Sequence, residues 1–249
     1  MSNKNSGIEA LDVITRLRGQ TVLNSVTLHV EFGTVHALVG MNGAGKTTLM
    51  RNLLGMLQVD SGEVRLLGSP VSRLPAAAWG QIGHMIEGPA LYSEFTVREH
   101  LNSMFALRGL PANRVGGLID YTVERLGLAP WVDTRTNRLS LGTRQKVALA
   151  AALGPGSEVL ILDEPANTLD PIAIRGLREL IREAADFGGA VFISSHHLDE
   201  LARLADQITL LHRGVIVGDL DTDGHDLEKA FFETILRADQ ARQRRELQP

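Results

Sequence analysis

The chain has 249 residues, of which 44% are hydrophobic and 22% charged, a composition typical of a globular protein with a sizeable core. The formal net charge of −4 argues against a nucleic-acid partner, and the absence of cysteine excludes disulfides and thiolate metal ligands. The longest stretch without Asp, Glu, Lys or Arg, residues 32–45, is shorter than the roughly 20 apolar residues of a membrane-spanning helix, so we expect no transmembrane segment.

Hydrophobic periodicity divides the chain into two β-containing parts separated by a helical one. Apolar and polar residues alternate before residue 30, and a buried strand is expected at 35–39. From residue 96 the spacing is helical, and Thr96 with Glu99 predicts a capping box. Later strands and helices alternate, which indicates a mostly parallel sheet. The other expected strands are 63–67, 82–85, 159–162, 190–194, 207–211 and 215–217, and the expected helices include 111–126, 141–153 and 198–205.

A glycine-rich segment at residues 40–47 matches the pattern G-x-x-x-x-G-K-[ST] between a predicted strand and a predicted helix. Glycines there allow positive φ and let backbone N–H groups converge on a phosphate. Lys46 supplies a charge for the β- and γ-phosphates of ATP, and the Thr47 hydroxyl is a Mg²⁺ ligand. The expected phosphate-binding residues are Asn42, Gly43, Ala44, Gly45, Lys46, Thr47 and Thr48. The alternative is a glycine turn before a helix.

Two adjacent carboxylates, Asp163 and Glu164, follow the apolar run at 159–162. Because ligands of parallel sheets lie beyond the carboxyl ends of the strands, both side chains are expected in the crevice of the phosphate loop. Asp163 would hold Mg²⁺, and Glu164 would polarise the attacking water as a general base. A capping Asp before the next helix is the alternative.

The order of these motifs resembles that of the nucleotide-binding subunits of ABC (ATP-binding cassette) transporters over nearly the whole chain. Residues 139–143, Leu-Ser-Leu-Gly-Thr, are similar to the family's signature LSGGQ, although Leu141 and Thr143 depart from it. The resemblance implies that Ser140 and Gly142 contact the nucleotide of a second copy. It also implies that His196 contacts the γ-phosphate and that Asp170 belongs to a loop crossing the dimer interface. The alternatives are a Ser cap, a structural histidine and a helix cap at Asp170.

Two positions depart from the usual family pattern. Glu87 stands where the family usually has Gln, and this variant is similar to the bacitracin-resistance and lantibiotic-immunity exporters. A carboxylate can ligate Mg²⁺, so we expect Glu87 to be a metal and coupling residue; a surface Glu in a loop is the alternative. Leu17 occupies the place of the aromatic residue that stacks on adenine, which predicts weak discrimination between ATP and GTP.

The resemblance implies an α/β fold of the P-loop NTPase class: a mostly parallel RecA-like sheet, an antiparallel β subdomain and a helical subdomain. We expect an ATPase domain at 1–220, with the helical subdomain at about 88–153, and a helical extension at 221–249.

The implied function is ATP hydrolysis by a dimer of two copies around two ATP molecules, driving a separate polytopic membrane permease. The chain would be cytoplasmic and peripheral on the inner face of the membrane, and the implied cargo is an antimicrobial peptide or related antibiotic. A soluble assembly or repair ATPase and a binding module without hydrolysis are the alternatives. Intact Lys46, Asp163, Glu164 and His196 argue against the binding module.

Overall fold

The computed structural model describes residues 5–154, 156–196, 198–221 and 226–246. An antiparallel sheet has the strand order β2-β1-β4-β5. Arg18 and Gly19 join its first two strands with φ angles of 50° and 80°, as a two-residue hairpin turn requires. Its strands are β1 (Ser6–Leu17), β2 (Gln20–Glu31), β4 (Ser61–Leu66) and β5 (Ser69–Pro70).

The main sheet has the order β10-β9-β3-β8-β7-β6, and only β10 runs antiparallel to its neighbour. Every residue of β3, β7 and β8 is buried, as expected for parallel strands covered on both faces. The predicted α/β fold with a mostly parallel sheet is therefore confirmed. Its strands are β3 (Val35–Val39), β6 (Ile82–Met85), β7 (Val159–Leu162), β8 (Ala190–Ser195), β9 (Gln207–His212) and β10 (Val215–Leu220).

Three helices lie between β6 and β7, where the sequence predicts a helical subdomain, and Thr96 and Glu99 form the predicted capping box. The predicted helix at 198–205 is shorter in the structure and ends at Leu201. No helix among the described residues combines the length and hydrophobicity needed to cross a bilayer. The helices are α1 (Lys46–Leu53), α2 (Ala76–Trp79), α3 (Val97–Leu107), α4 (Ala112–Arg125), α5 (Leu141–Ala152), α6 (Pro171–Asp186), α7 (Leu198–Leu201) and α8 (Leu227–Glu246).

The main sheet separates two hydrophobic cores. Alternate residues of β3 point to opposite faces, so that Val35 and Ala37 join one core and Leu38 the other. The first core contains α3 to α6, and the second contains α1 and the inner face of the antiparallel sheet. This arrangement places the phosphate loop, at the end of β3, between the antiparallel sheet and the carboxyl ends of β7 and β8. The domain boundaries given above remain predictions, and residues 222–225 beside one of them lie outside the described part.

Candidate nucleotide-binding site

The phosphate loop connects β3 to α1 and needs glycine at three positions. Gly43 and Gly45 have φ angles of 79° and 111°, which side chains with a Cβ disfavour. A Cβ on Gly40 would lie 2.3 Å from the carbonyl oxygen of Leu211 on β9. The loop borders a pocket of about 290 Å³, called the phosphate pocket below. Its lining residues are Val22, Met41, Asn42, Gly43, Ala44, Gly45, Lys46, Thr47, Thr48, Asp163 and Glu164.

Lys46 is buried at the start of α1, and its ammonium group remains inside the loop. Its Nζ donates to the carbonyl oxygen of Gly40 over 2.7 Å and lies 3.6 Å from Oε1 of Glu164. The ammonium group therefore faces the space enclosed by the loop, and a bound phosphate can replace its contacts to Gly40 and Glu164.

The two predicted carboxylates lie beside the loop and are held by a serine that the sequence analysis did not single out. Thr47 Oγ1 donates to Oδ2 of Asp163 over 2.6 Å. Ser194 on β8 donates to the other oxygen, Oδ1 of Asp163, over 2.5 Å. The same hydroxyl accepts the backbone N–H of Glu164 over 2.9 Å. Ser194 therefore fixes both positions of the pair.

His196 contacts the second carboxylate directly. Its Nδ1 lies 2.8 Å from Oε2 of Glu164. Because an ionised carboxylate only accepts hydrogen bonds, the imidazole must donate through Nδ1. The structure thus connects Lys46, Glu164 and His196, which come from α1, the end of β7 and the end of β8.

Glu87 does not line the phosphate pocket. It follows β6, has a positive φ of 62° and forms an ion pair with Arg51 of α1. It lines a second pocket, called the carboxylate pocket below, which shares Asp163 and Glu164 with the first. The carboxylate pocket is lined by Glu87, Gly88, Pro89, Leu141, Gln145, Asp163, Glu164, Asn167 and Thr168.

The signature-like segment is separate from the phosphate pocket of its own chain. Ser140 caps α5 by accepting the N–H of Thr143 over 3.2 Å. A Cβ on Gly142 would lie 2.7 Å from the carbonyl oxygen of Thr168, so only glycine allows α5 to approach this loop. Neither Ser140 nor Gly142 is among the residues that line the phosphate pocket.

Asp170 is occupied by contacts within its own chain. It caps α6 through the N–H of Ala173 at 2.9 Å, and it pairs with Lys146 of α5 at 2.5 Å. These hydrogen bonds lower the pKa of Asp170, with the Lys146 ammonium contributing most. Asp170 therefore joins α5 to the start of α6, which agrees with the helix-cap interpretation.

Leu17 is the last residue of β1, half-buried and paired with Gln20. It does not line the phosphate pocket, whereas Val22 of β2 does. The sequence analysis did not single out Val22. Because neighbouring residues of a strand point to opposite faces, the sequence indicated that either Val22 or Leu23 faces outward.

The oxygen atoms of Thr47 and Asp163 suit a hard divalent cation such as Mg²⁺. Within the described ranges, no three His, Cys, Asp or Glu side chains are grouped closely enough to hold a metal by themselves. Mg²⁺ commonly binds through one or two protein oxygens together with substrate phosphates and water, so the residues present fit this ion.

A phosphate loop facing a strand-end carboxylate pair on a parallel sheet defines a P-loop nucleotide-binding protein. The profile of the ABC transporter family matches residues 23–167, and the chain belongs to this family. It is an ABC transporter ATP-binding subunit and, like its relatives, an ATPase.

Known relatives cover most of the chain. It is 35% identical to the lantibiotic transport ATP-binding protein SrtF of Streptococcus pyogenes, over 87% of this chain and 92% of that protein. It is 36% identical to the bacitracin transport ATP-binding protein BcrA of Enterococcus faecalis, over 84% of this chain and 67% of that protein. A solved structure of the ATP-binding subunit of an ABC transporter superposes with a TM-score of 0.84 at 27% identity, covering 92% of this chain and 98% of that one.

Proposed function

We propose that two copies of this chain close around two Mg²⁺–ATP molecules and that hydrolysis drives a separate membrane permease. The observation that supports this proposal is the connected group of Lys46, Thr47, Asp163, Glu164 and His196 beside the phosphate loop. A cation, a hydroxyl, two carboxylates and an imidazole are the groups needed to bind and cleave a triphosphate.

The residues of the phosphate pocket divide the work of binding. Backbone N–H groups from Asn42 to Thr48 and the N-terminus of α1 receive the β- and γ-phosphates. Lys46 exchanges its bond to the Gly40 carbonyl for a phosphate oxygen. Thr47 and Asp163 would hold Mg²⁺, which would neutralise charge on the phosphate oxygens.

Glu164 acts as the general base for the attacking water. The water oxygen forms a bond to the γ-phosphorus, the bond to the β-phosphate oxygen breaks, and the water proton passes to Glu164. His196 orients the Glu164 carboxylate through Nδ1 and contacts the γ-phosphate. The reaction yields ADP and phosphate.

The second copy supplies Ser140 and Gly142, because both are separate from the phosphate pocket of their own chain. Asp170 lies in the loop that crosses the interface. Two exposed apolar side chains support a contact here: Leu141 is 62% exposed beside the signature-like segment, and Ile172 is 74% exposed at the start of α6. Homodimer interfaces are more apolar than the rest of a protein surface.

The relatives support the proposed permease, location and cargo. Proteins named for lantibiotic and bacitracin transport are similar over most of this chain. We infer that the chain lies on the cytoplasmic face of the membrane, bound to a polytopic permease, and that the cargo is an antimicrobial peptide or related antibiotic. Base recognition involves Leu17, whose aliphatic side chain cannot stack as a ring does.

The test compares three proteins: wild type, Lys46→Ala and Glu164→Gln. We expect Lys46→Ala to weaken Mg²⁺–ATP binding by more than about tenfold. Glu164→Gln should retain binding, lower turnover by about 10²–10⁴-fold and accumulate as an ATP-dependent dimer in size-exclusion chromatography. Full turnover by Glu164→Gln would refute the proposed base. Co-purification with a polytopic membrane protein distinguishes a transporter subunit from a soluble assembly or repair ATPase.

A further inference from the structure

Helix α1 contacts the carboxylates that follow β6 and β7 through two of its side chains, which lie one helical turn apart. Thr47 and Arg51 are four residues apart and therefore lie on the same face of the helix. Thr47 binds Asp163, the first residue after β7, and Arg51 binds Glu87, the second after β6. Because β6 and β7 are adjacent and parallel, these two contacts attach α1 to both strand ends.

The Arg51–Glu87 ion pair supplies a positive charge beside a pocket that is lined by three carboxylates. The carboxylate pocket is lined by Glu87, Asp163 and Glu164, and its lining contains no Lys, Arg or His. Lys46 and His196 contact Glu164, and the hydroxyls of Thr47 and Ser194 donate to Asp163, so Glu87 depends on Arg51 for its cation. Arg51 approaches from outside this lining and neutralises Glu87, the most exposed of the three.

The ion pair also attaches to a residue whose backbone conformation glutamate disfavours. Glu87 has a φ of 62°, in the left-handed region where residues other than glycine are uncommon. Such a conformation persists when surrounding contacts impose it. The bond to Arg51 is a contact of this kind, because it attaches the side chain of the loop residue to the rigid α1.

We propose that Arg51 is a positioning residue that holds Glu87 outside the phosphate pocket in the nucleotide-free protein, and that Mg²⁺–nucleotide competes with Arg51 for the Glu87 carboxylate. The competition rests on the proposed function. Its consequence is that loading of the phosphate pocket releases the loop at 86–96, which leads from β6 into α3.

The first experiment needs no nucleotide. Amide hydrogen exchange of residues 92–97, where the N–H groups of Phe95 and Val97 are hydrogen-bonded, is measured in the wild type, Arg51→Gln, Arg51→Lys and Arg65→Gln. Arg65 forms a comparable ion pair with Glu63 on the antiparallel sheet, so it is a matched control. We expect exchange to be about two- to fivefold faster in Arg51→Gln, because a half-exposed ion pair is lost. Arg51→Lys and Arg65→Gln should exchange at the wild-type rate. Equal exchange in Arg51→Gln and the wild type would overturn the proposal.

The second experiment measures the Mg²⁺ concentration that half-saturates binding of a fluorescent ATP analogue, with Glu164→Gln present throughout to prevent turnover. Arg51→Gln removes the competitor for Glu87, so half-saturation should fall about two- to fivefold. In a Glu87→Gln background, Arg51→Gln should cause no shift. An equal shift in both backgrounds would show that Arg51 acts on the nucleotide charge alone, and would overturn the proposal.

The two experiments separate this proposal from the proposed function. If the Glu164→Gln protein bound no more analogue than the Lys46→Ala protein, the nucleotide site itself would be refuted. If binding is normal and either expected difference for Arg51→Gln is missing, the role of Arg51 is refuted while the site remains.

Discussion

Replacing Ser194 with alanine should lower the free energy of unfolding by more than the small volume of the lost hydroxyl suggests. Ser194 is fully buried, and its hydroxyl serves an oxygen of Asp163 and the N–H of Glu164. Alanine leaves both groups without this partner, and Asp163 keeps only the hydrogen bond from Thr47 that the structure shows. A buried polar group without a hydrogen bond costs about 1–3 kcal/mol, so we expect a loss of about 2–4 kcal/mol in the free energy of unfolding.

The measurement is urea unfolding of the nucleotide-free protein, together with ATP turnover at saturating Mg²⁺. Ser103→Ala is the control, because its hydroxyl donates only to the carbonyl oxygen of Glu99 within α3. We expect the control to change the free energy of unfolding by less than about 0.5 kcal/mol. Turnover should fall in Ser194→Ala, because Glu164 loses the bond that fixes its backbone. Equal unfolding midpoints for the two variants would refute this reasoning.

Three further predictions concern structure outside the pocket. A Cβ on Gly176 would lie 1.9 Å from a carbonyl oxygen of α4, so Gly176→Ala should lower the melting temperature, whereas Gly116→Ala, with no atom within 4 Å, should raise it slightly. Arg108 donates to carbonyl oxygens near the ends of α2 and α5, and Arg108→Met should cost about 2–4 kcal/mol in urea unfolding. Burial lowers the pKa of His36 to about 4, so the unfolded chain takes up a proton near pH 6.5 while the folded chain does not. The contribution of His36 to stability should be constant above pH 6.5 and fall by about 3 kcal/mol between pH 6.5 and 4. His36→Gln should remove this part of the loss and leave the part due to His84 and His100, whose pKa values burial also lowers.

Much of the fold could be predicted because its signals are local. The apolar run of β3, the capping box of α3 and the glycines of the phosphate loop each determine structure within a few residues. The carboxylates after β7 were also predictable, since the chain order of strands and helices places strand ends on one edge of the sheet. For these parts, short-range patterns and one topological rule were sufficient.

The partners of these groups could not be predicted, because they depend on which strands are neighbours. Ser194 contacts Asp163 only because β8 lies between β3 and β7. A hydroxyl in an otherwise apolar run was visible in the sequence, but the residue facing it was not. Arg51 presents the same difficulty: its helical position was predicted, yet the nearness of Glu87 results from the packing of α1 across β6 and β7.

The conformations of the pocket also oppose local preference. Glu87, Glu164 and Thr168 all have positive φ, at 62°, 48° and 66°, and all three line the carboxylate pocket. Each such residue costs about 1–2 kcal/mol, which tertiary contacts must offset. Arg51 contacts the first, Ser194 and His196 contact the second, and close packing against Gly142 accompanies the third. Because nucleotide binding changes the charge beside these same contacts, the strained backbone is placed where occupancy of the site can alter it.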